Sequence, residues 1–216
     1  MPDLSFAIDS AKVVPFAATP MLAFQLSIRN AAADERIHTI ALRCQIQIEV
    51  TRRQYASQEQ ERLLDLFGTP DRWSQTLRTL LWTHVQMVVP GFEGPGNVVD
   101  MQVPCTADFN VAATKYFDAL ESGEIPLQFL FSGTSFYSRD DGQLQVAPIS
   151  WEQEARFRLS AATWREMIDN YYPNSVFINL RRDVFDQLNQ YKMQHGIPTW
   201  EQALERMLAA EEAVRS

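Results

Sequence analysis

The run Ile40-Ala-Leu-Arg-Cys-Gln-Ile-Gln-Ile-Glu-Val50 leaves a chain little freedom in how it folds. Ile40, Leu42, Cys44, Ile46, Ile48 and Val50 are apolar, and Arg43, Gln45, Gln47 and Glu49 between them are polar. A period of two held over that length puts one set of side chains on each face of a pleated strand, whereas a helix would scatter them around its circumference. The first half of the chain is therefore expected to form a sheet with one buried and one wetted face.

Neighbouring segments repeat the pattern. Leu4, Phe6 and Ile8 alternate in a short first strand, and a connection from Lys12 to Pro20 leads to a second at Leu22, Phe24, Leu26 and Ile28. A polar turn from Asn30 to Arg36 precedes the long strand, which spans about Thr39 to Thr51. The period then changes. Ser57-Gln-Glu-Gln60 fits a capping box. Leu63, Leu64 and Phe67 share a helical face, Gly68 ends that helix, and Thr69-Pro70 opens another with Trp73 and Leu77. The result is a helical insertion near 57–78.

Leu80 to Val89 is apolar enough for a strand buried on both faces, ended by Pro90. Val98 to Val103 is a further strand, and Phe109 and Val111 open an extended stretch that turns helical near Lys115 to Leu120. Ile125, Leu127, Phe129 and Phe131 alternate again. Asp140-Asp141-Gly142 is a hairpin signal, after which Leu144 and Val146 lead to a half-exposed strand with Ala155, Phe157 and Leu159. The last quarter has helical spacing at Trp164, Met167 and Ile168, and again at Val184, Leu188 and Tyr191. A second capping box, Thr199-Trp-Glu-Gln202, opens a helix that turns Ala203, Leu204, Met207 and Leu208 toward the core, with a fraying tail from Ala209. The expected fold is α+β. An antiparallel, immunoglobulin-like β-sandwich fills residues 1–159, with a helical C-terminal extension over 160–216 packed on it. No Cys…Trp…Cys pattern marks a true immunoglobulin domain.

With 216 residues and a formal charge of −8, the chain lacks the clustered Lys and Arg that sequence-independent nucleic-acid binding needs. No apolar run approaches the roughly 20 residues that span a bilayer, and Met1-Pro-Asp-Leu-Ser does not read as a signal peptide. Two cysteines, Cys44 and Cys105, are too few for a disulfide scaffold. The expectation is a cytoplasmic protein that engages neither nucleic acid nor membrane.

Catalytic chemistry is hard to place. His38, His84 and His195 lie far apart, with no His-x-x-His or Cys-x-x-Cys pair, so no metal site is expected. Gly91-x-x-Gly94-x-Gly96 has the wrong spacing for a phosphate loop, and Pro95 removes an amide that a phosphate would need. Ser132-Gly133-Thr134 lacks the glycines of a nucleophile elbow and reads as a bulge or bend in a strand. No catalytic residue and no cofactor are expected. The tryptophans Trp73, Trp82, Trp151, Trp164 and Trp200 sit in or beside regular elements and read as core. Phe92, Phe136, Tyr137, Tyr171 and Tyr172 lie near loops and element ends, where aromatic side chains can supply a binding surface.

Several stretches resemble an uncharacterised bacterial family encoded beside actinobacterial-type nickel–iron hydrogenase genes. They are Gln45-Ile46-Gln47-Ile48-Glu49, Arg53-x-Tyr55, Leu66-Phe67-Gly68-x-Pro70-x-x-Trp73, Leu81-Trp82, Val89-Pro90-x-Phe92, Asp108-Phe109, Lys115-Tyr116-Phe117, the run from Gly123 to Tyr137, and Tyr172-Pro173-Asn174. The resemblance implies a setting without a mechanism: a role in assembling or maturing a hydrogenase. The chain lacks the cysteine clusters of an iron–sulfur carrier and the histidine tract of a nickel store. The expected function is therefore that of a non-catalytic accessory protein that binds another protein, such as a hydrogenase subunit or maturation factor. The alternatives are an enzyme or small-ligand binder with a site between the sheet and the C-terminal helices, and a self-assembling structural protein that forms a homo-oligomer.

Overall fold

In a computed structural model, residues 2–32, 35–106, 110–139, 142–175 and 178–215 are described. The chain divides into two units, residues 1–175 and 176–216.

The first unit begins with β1 (Leu4–Val13), β2 (Met21–Asn30) and β3 (Arg36–Ile48). A 3-10 turn at Val50–Arg52 leads to the short helices α1 (Ser57–Arg62), α2 (Leu64–Phe67) and α3 (Trp73–Thr76). Then come β4 (Leu80–Phe92), β5 (Gly96–Pro104), α4 (Val111–Ala119), β6 (Glu124–Ser138), β7 (Leu144–Pro148), β8 (Glu154–Ser160) and α5 (Ala161–Tyr171). Every pairing is antiparallel. One sheet runs β1-β2-β5; the other runs β4-β3-β6, with β7 and β8 sharing the far edge of β6.

The alternation of β3 places as expected: Ile40, Leu42, Cys44, Ile46 and Ile48 are all buried, while Ala41 and Arg43 face out. The apolar faces of the two sheets meet through aromatic rings. Phe6 of β1 stacks on Phe131 of β6 at 4.7 Å. Phe24 of β2 meets Phe129 at 5.2 Å, Phe157 at 6.0 Å and Trp82 at 6.2 Å, so one side chain bridges to three strands of the opposite sheet. Full burial of such a ring contributes about 1.5–3 kcal/mol, before any gain from ring geometry.

Gly133 shows why Ser132-Gly133-Thr134 reads as a local irregularity. It lies between the stretch of β6 paired with β8 and the stretch paired with β7. Its φ is +143°, and an added Cβ would sit 2.1 Å from the carbonyl oxygen of Ala41, so only glycine fits.

Several local expectations differ from the structure. Leu80–Val89 is not buried on both faces: Leu81 and Val88 pair with Gln47 and Ala41 on the outer face of the sheet, which no second layer covers there, and they stay 45% and 71% exposed. The capping box at Ser57 and Gln60 does not form. Ala56 is the N-cap, its N–H donates to Glu59 Oε2, and the Gln60 side chain donates to Tyr55 O instead. The stretch after Asn110 is helical from Val111, because the Asn110 side chain accepts from the Ala113 N–H and caps the helix. Asp108, Phe109, Asp140 and Asp141 lie outside the described residues. Trp82 and Trp164 are core, but Trp151 is 84% exposed on the connection between β7 and β8.

The second unit holds α6 (Arg182–Gln194) and α7 (Trp200–Arg215). Thr199 Oγ1 accepts from the Gln202 N–H, which is half of the anticipated capping box. Ala203 is buried. Leu204, Met207 and Leu208 are exposed instead of turned to a core, because two short helices form one layer and an apolar face needs a second layer to cover it. Continuous helix also replaces the fraying expected from Ala209. No described helix is long and apolar enough to cross a membrane.

Candidate functional site

Four of the stretches that carry the family resemblance, those holding Arg53 and Tyr55, Phe67 and Trp73, Tyr116 and Phe117, and Glu124, meet in one buried knot between the helical insertion and the start of β6. Arg53 Nη2 pairs with Glu59 Oε1 and also donates to Ser122 O, and its Nη1 donates to Glu124 O at 2.8 Å. Glu59 is 3% exposed, and its carboxylate further accepts from the backbone N–H groups of Ala56 and Glu121. The Tyr55 hydroxyl donates to Val50 O at 2.6 Å and lies 2.9 Å from the Tyr116 hydroxyl. Burial pushes the Tyr55 hydroxyl up to about 12 and raises that of Tyr116 further. Around them Phe67, Trp73, Tyr116 and Phe117 meet edge to face, and Phe117 stacks on Trp164 at 4.2 Å. Every oxygen of this carboxylate is engaged by protein donors, and both tyrosines are held protonated. The knot braces the helical insertion against the start of β6.

Other reactive groups are equally engaged. Cys44 and Cys105 are free and buried, and burial pushes both thiols up to about 12, far from the thiolate form that attacks or binds metal. His84 lies 3.3 Å from Gln45 Oε1, and His195 Nδ1 lies 2.9 Å from Tyr191 O. No group of three or more His, Cys, Asp or Glu side chains among the described residues is placed to hold a metal ion. A depression of about 440 Å³ gathers Arg52, Arg156 and Arg158 over Leu127 and Phe157. Arg52 and Arg156 both reach Glu49, at 2.9 and 3.5 Å, and Arg158 reaches Glu124 at 3.5 Å, so the cationic groups are already answered. A second hollow of about 320 Å³ lies at the end of β3 and β4, lined by Arg36, His38, Phe92 and Glu93. There Arg36 pairs with Glu93 at 3.1 Å.

The five aromatic residues proposed as a surface fall into two groups. Phe92 and Tyr137 flank Ile37 in register, and Phe136 lies opposite Thr39. Tyr137 is buried, Phe92 and Phe136 half-buried. Phe136 belongs to the outer face of its sheet, where Val146 pairs with it, and Val88 lies one row away, opposite Ala41. Tyr171 and Tyr172 end α5 beside the β1–β2 loop. Phe6 lies over Phe131, and Phe24, the register partner of Ala11, lies over Phe129, so β1 ends near the start of β6. Between Ile125 and Tyr137 the strand spans about 40 Å. One continuous patch does not hold all five.

Tyr171 leads to a residue that sequence reasoning passed over. Its hydroxyl donates to Val14 O at 2.7 Å and accepts from the Ala17 N–H at 2.9 Å, and Val14 N–H donates to Met21 O. These bonds fasten the β1–β2 loop. At its tip Phe16 is 100% exposed with φ +59°, a left-handed conformation that a bulky L-residue seldom adopts. Such a conformation costs about 1–2 kcal/mol. The prolines at Pro15 and Pro20 mark a connection in the sequence, but nothing there signals the left-handed turn at Phe16 or its distant tyrosine clamp.

A family model matches the chain over residues 1–216 and describes a family of unknown function (DUF6084). No curated protein matches. Among solved structures, a putative ApaA protein from Bordetella pertussis is similar at 14% identity, over 73% of this chain and 93% of that one, with a TM-score of 0.28. A putative late embryogenesis abundant protein is similar at 13% identity, over 74% of this chain and 72% of that one, with a TM-score of 0.33. Likeness at this level says nothing about what the chain does.

Proposed function

Because the chain belongs to DUF6084, a family of unknown function, its role has to be read from its own surface, and we propose that it is a non-catalytic protein-binding module. The observation that carries this reading is Phe16, fully exposed, left-handed and fastened from α5 by Tyr171. A loop that keeps a large aromatic in water, in an unfavourable conformation, with its backbone already ordered, is pre-organised for a partner. Anchoring aromatics of this kind dominate interface energies, and prior ordering removes part of the entropic cost of association.

The partner is a protein with an apolar pocket sized for one ring. A lipid surface fits less well: Lys12, the charge nearest along the chain, pairs with Asp100 at 2.7 Å, and the whole chain carries −8, which an anionic membrane repels. The paired sheets serve, in this reading, as an immunoglobulin-like sandwich that holds the loop rigid. The resemblance to a hydrogenase-associated family makes hydrogenase subunits and maturation factors the first partners to test, in the cytoplasm. The experiment is capture from the native host with tagged wild-type and Phe16→Ala proteins, with bound proteins identified. A hydrogenase subunit or maturation factor recovered with wild type, and about tenfold less with Phe16→Ala at equal thermal stability, supports the reading. Equal recovery by both proteins removes it.

A further inference from the structure

Within the second unit, α6 and α7 cover each other sparingly. Phe185 lies against Trp200 with centroids 5.3 Å apart, and Lys192 sits over the same indole at 5.2 Å. Of the described side chains in α6 and α7, only Ala203 is fully buried. Leu204, Met207 and Leu208 continue the stripe begun by Trp200 and Ala203, yet they are 39%, 44% and 66% exposed. Apolar residues at this spacing form the face that a helix lays against a neighbour. The unit has no cysteine and, among the described residues, no metal-ligand cluster to stabilise it in place of a core.

Charge indicates what covers the stripe. Glu201 and Glu205, one turn apart, border Leu204 and Leu208 on the flank away from Ala203. Both are exposed, and neither makes an ion pair among the described residues. Glutamates flanking an apolar helical seam select partners that place Lys or Arg across from them. A second copy would bring the same glutamates to the border, and its Trp200 is already met by Phe185 and Lys192 of α6. A lipid surface calls for a basic border, and this one is acidic.

We propose that α7 is the docking face for an amphipathic helix of another protein, whose apolar stripe is bordered by lysine or arginine. This surface is separate from the Phe16 loop and does not depend on that reading. The test uses the full chain and two labelled synthetic helices with the same leucine seam, one bordered by lysine and one by glutamate. Wild type binds the lysine-bordered helix at least about tenfold more tightly. Leu204→Gln with Leu208→Gln loses about tenfold while the helical circular dichroism is unchanged, since glutamine keeps helix propensity. Glu201→Lys with Glu205→Lys inverts the preference between the two peptides. Phe16→Ala leaves all three results unchanged, so failure here and failure of the loop reading are distinguishable. No binding, equal binding of both peptides, or equal binding by the glutamine variant overturns the proposal. So does a concentration-dependent dimer that the glutamine pair dissolves, or tighter binding to phosphatidylserine vesicles than to the peptide.

Discussion

Arg53 and Glu59 form an ion pair whose side chains are 9% and 4% exposed, so neither charge has much water to fall back on. The pair joins the segment entering the helical insertion to the α4–β6 connection through Ser122 O and to the first residue of β6 through Glu124 O. Breaking such a pair from one side leaves an unanswered buried charge, at about 3–5 kcal/mol. Glu59→Ala is expected to lose stability on that scale in urea unfolding. Arg53→Met with Glu59→Leu is expected to cost much less than the two single changes added together. A double-mutant cycle with no coupling between the positions would refute the brace.

Phe16 makes the opposite prediction for stability. Glycine enters the left-handed region without the Cβ penalty, and the exposed ring contributes no core contact. Phe16→Gly is expected to hold stability or raise it by up to about 1 kcal/mol, after the extra chain entropy glycine brings to the unfolded state, while weakening partner capture. A melting temperature that falls by several degrees would show that the ring supports the fold.

Asp118 introduces a pH dependence. Burial raises its carboxyl above the usual range, partly offset by the Trp164 indole N–H, which donates to Oδ1 at 3.1 Å. The folded state therefore holds this proton more tightly than the unfolded chain, whose aspartate titrates near about 3.9. Its contribution is fully present below that value and is lost as pH rises through the folded pKa. Asp118→Asn keeps the acceptor for Trp164 and removes the charge. It is expected to flatten the stability profile above about pH 4 and to be most favourable near neutrality, as read by thermal unfolding across pH.

Both thiols, pushed up to about 12, are expected to resist alkylation at pH 8 in the folded protein and to react once it unfolds. Iodoacetamide labelling that rises in step with urea unfolding checks this. Rapid labelling of Cys44 in native buffer would contradict its placement at 1% exposure.

The sheet was legible because alternation is a local signal, and β3 states its buried face residue by residue. The paired character of the two halves followed from the same signal at Leu22–Ile28 and Ile125–Phe131. What escaped was set by distance. Val88 has the apolar character of core, but apolar content does not reveal that one face of a sheet is left uncovered. The Arg53 knot joins residues up to 71 positions apart, and the clamp on the Phe16 loop comes from Tyr171, 157 positions beyond Val14. Leu204 and Leu208 have core spacing, but spacing does not say whether the opposing layer lies in the same chain.

The placement of β6 bears on how the chain comes off the ribosome. Its long partner β3 is made early, and β4 takes one edge of it, but the other edge stays open until residues 124–138 appear. Phe24, whose ring packs on Phe129 and Phe157, waits longer still, until β8 is made. A nascent chain paused before Glu124 therefore carries an unpaired strand rich in Ile and Leu together with its uncovered aromatic partners, the state most prone to aggregate.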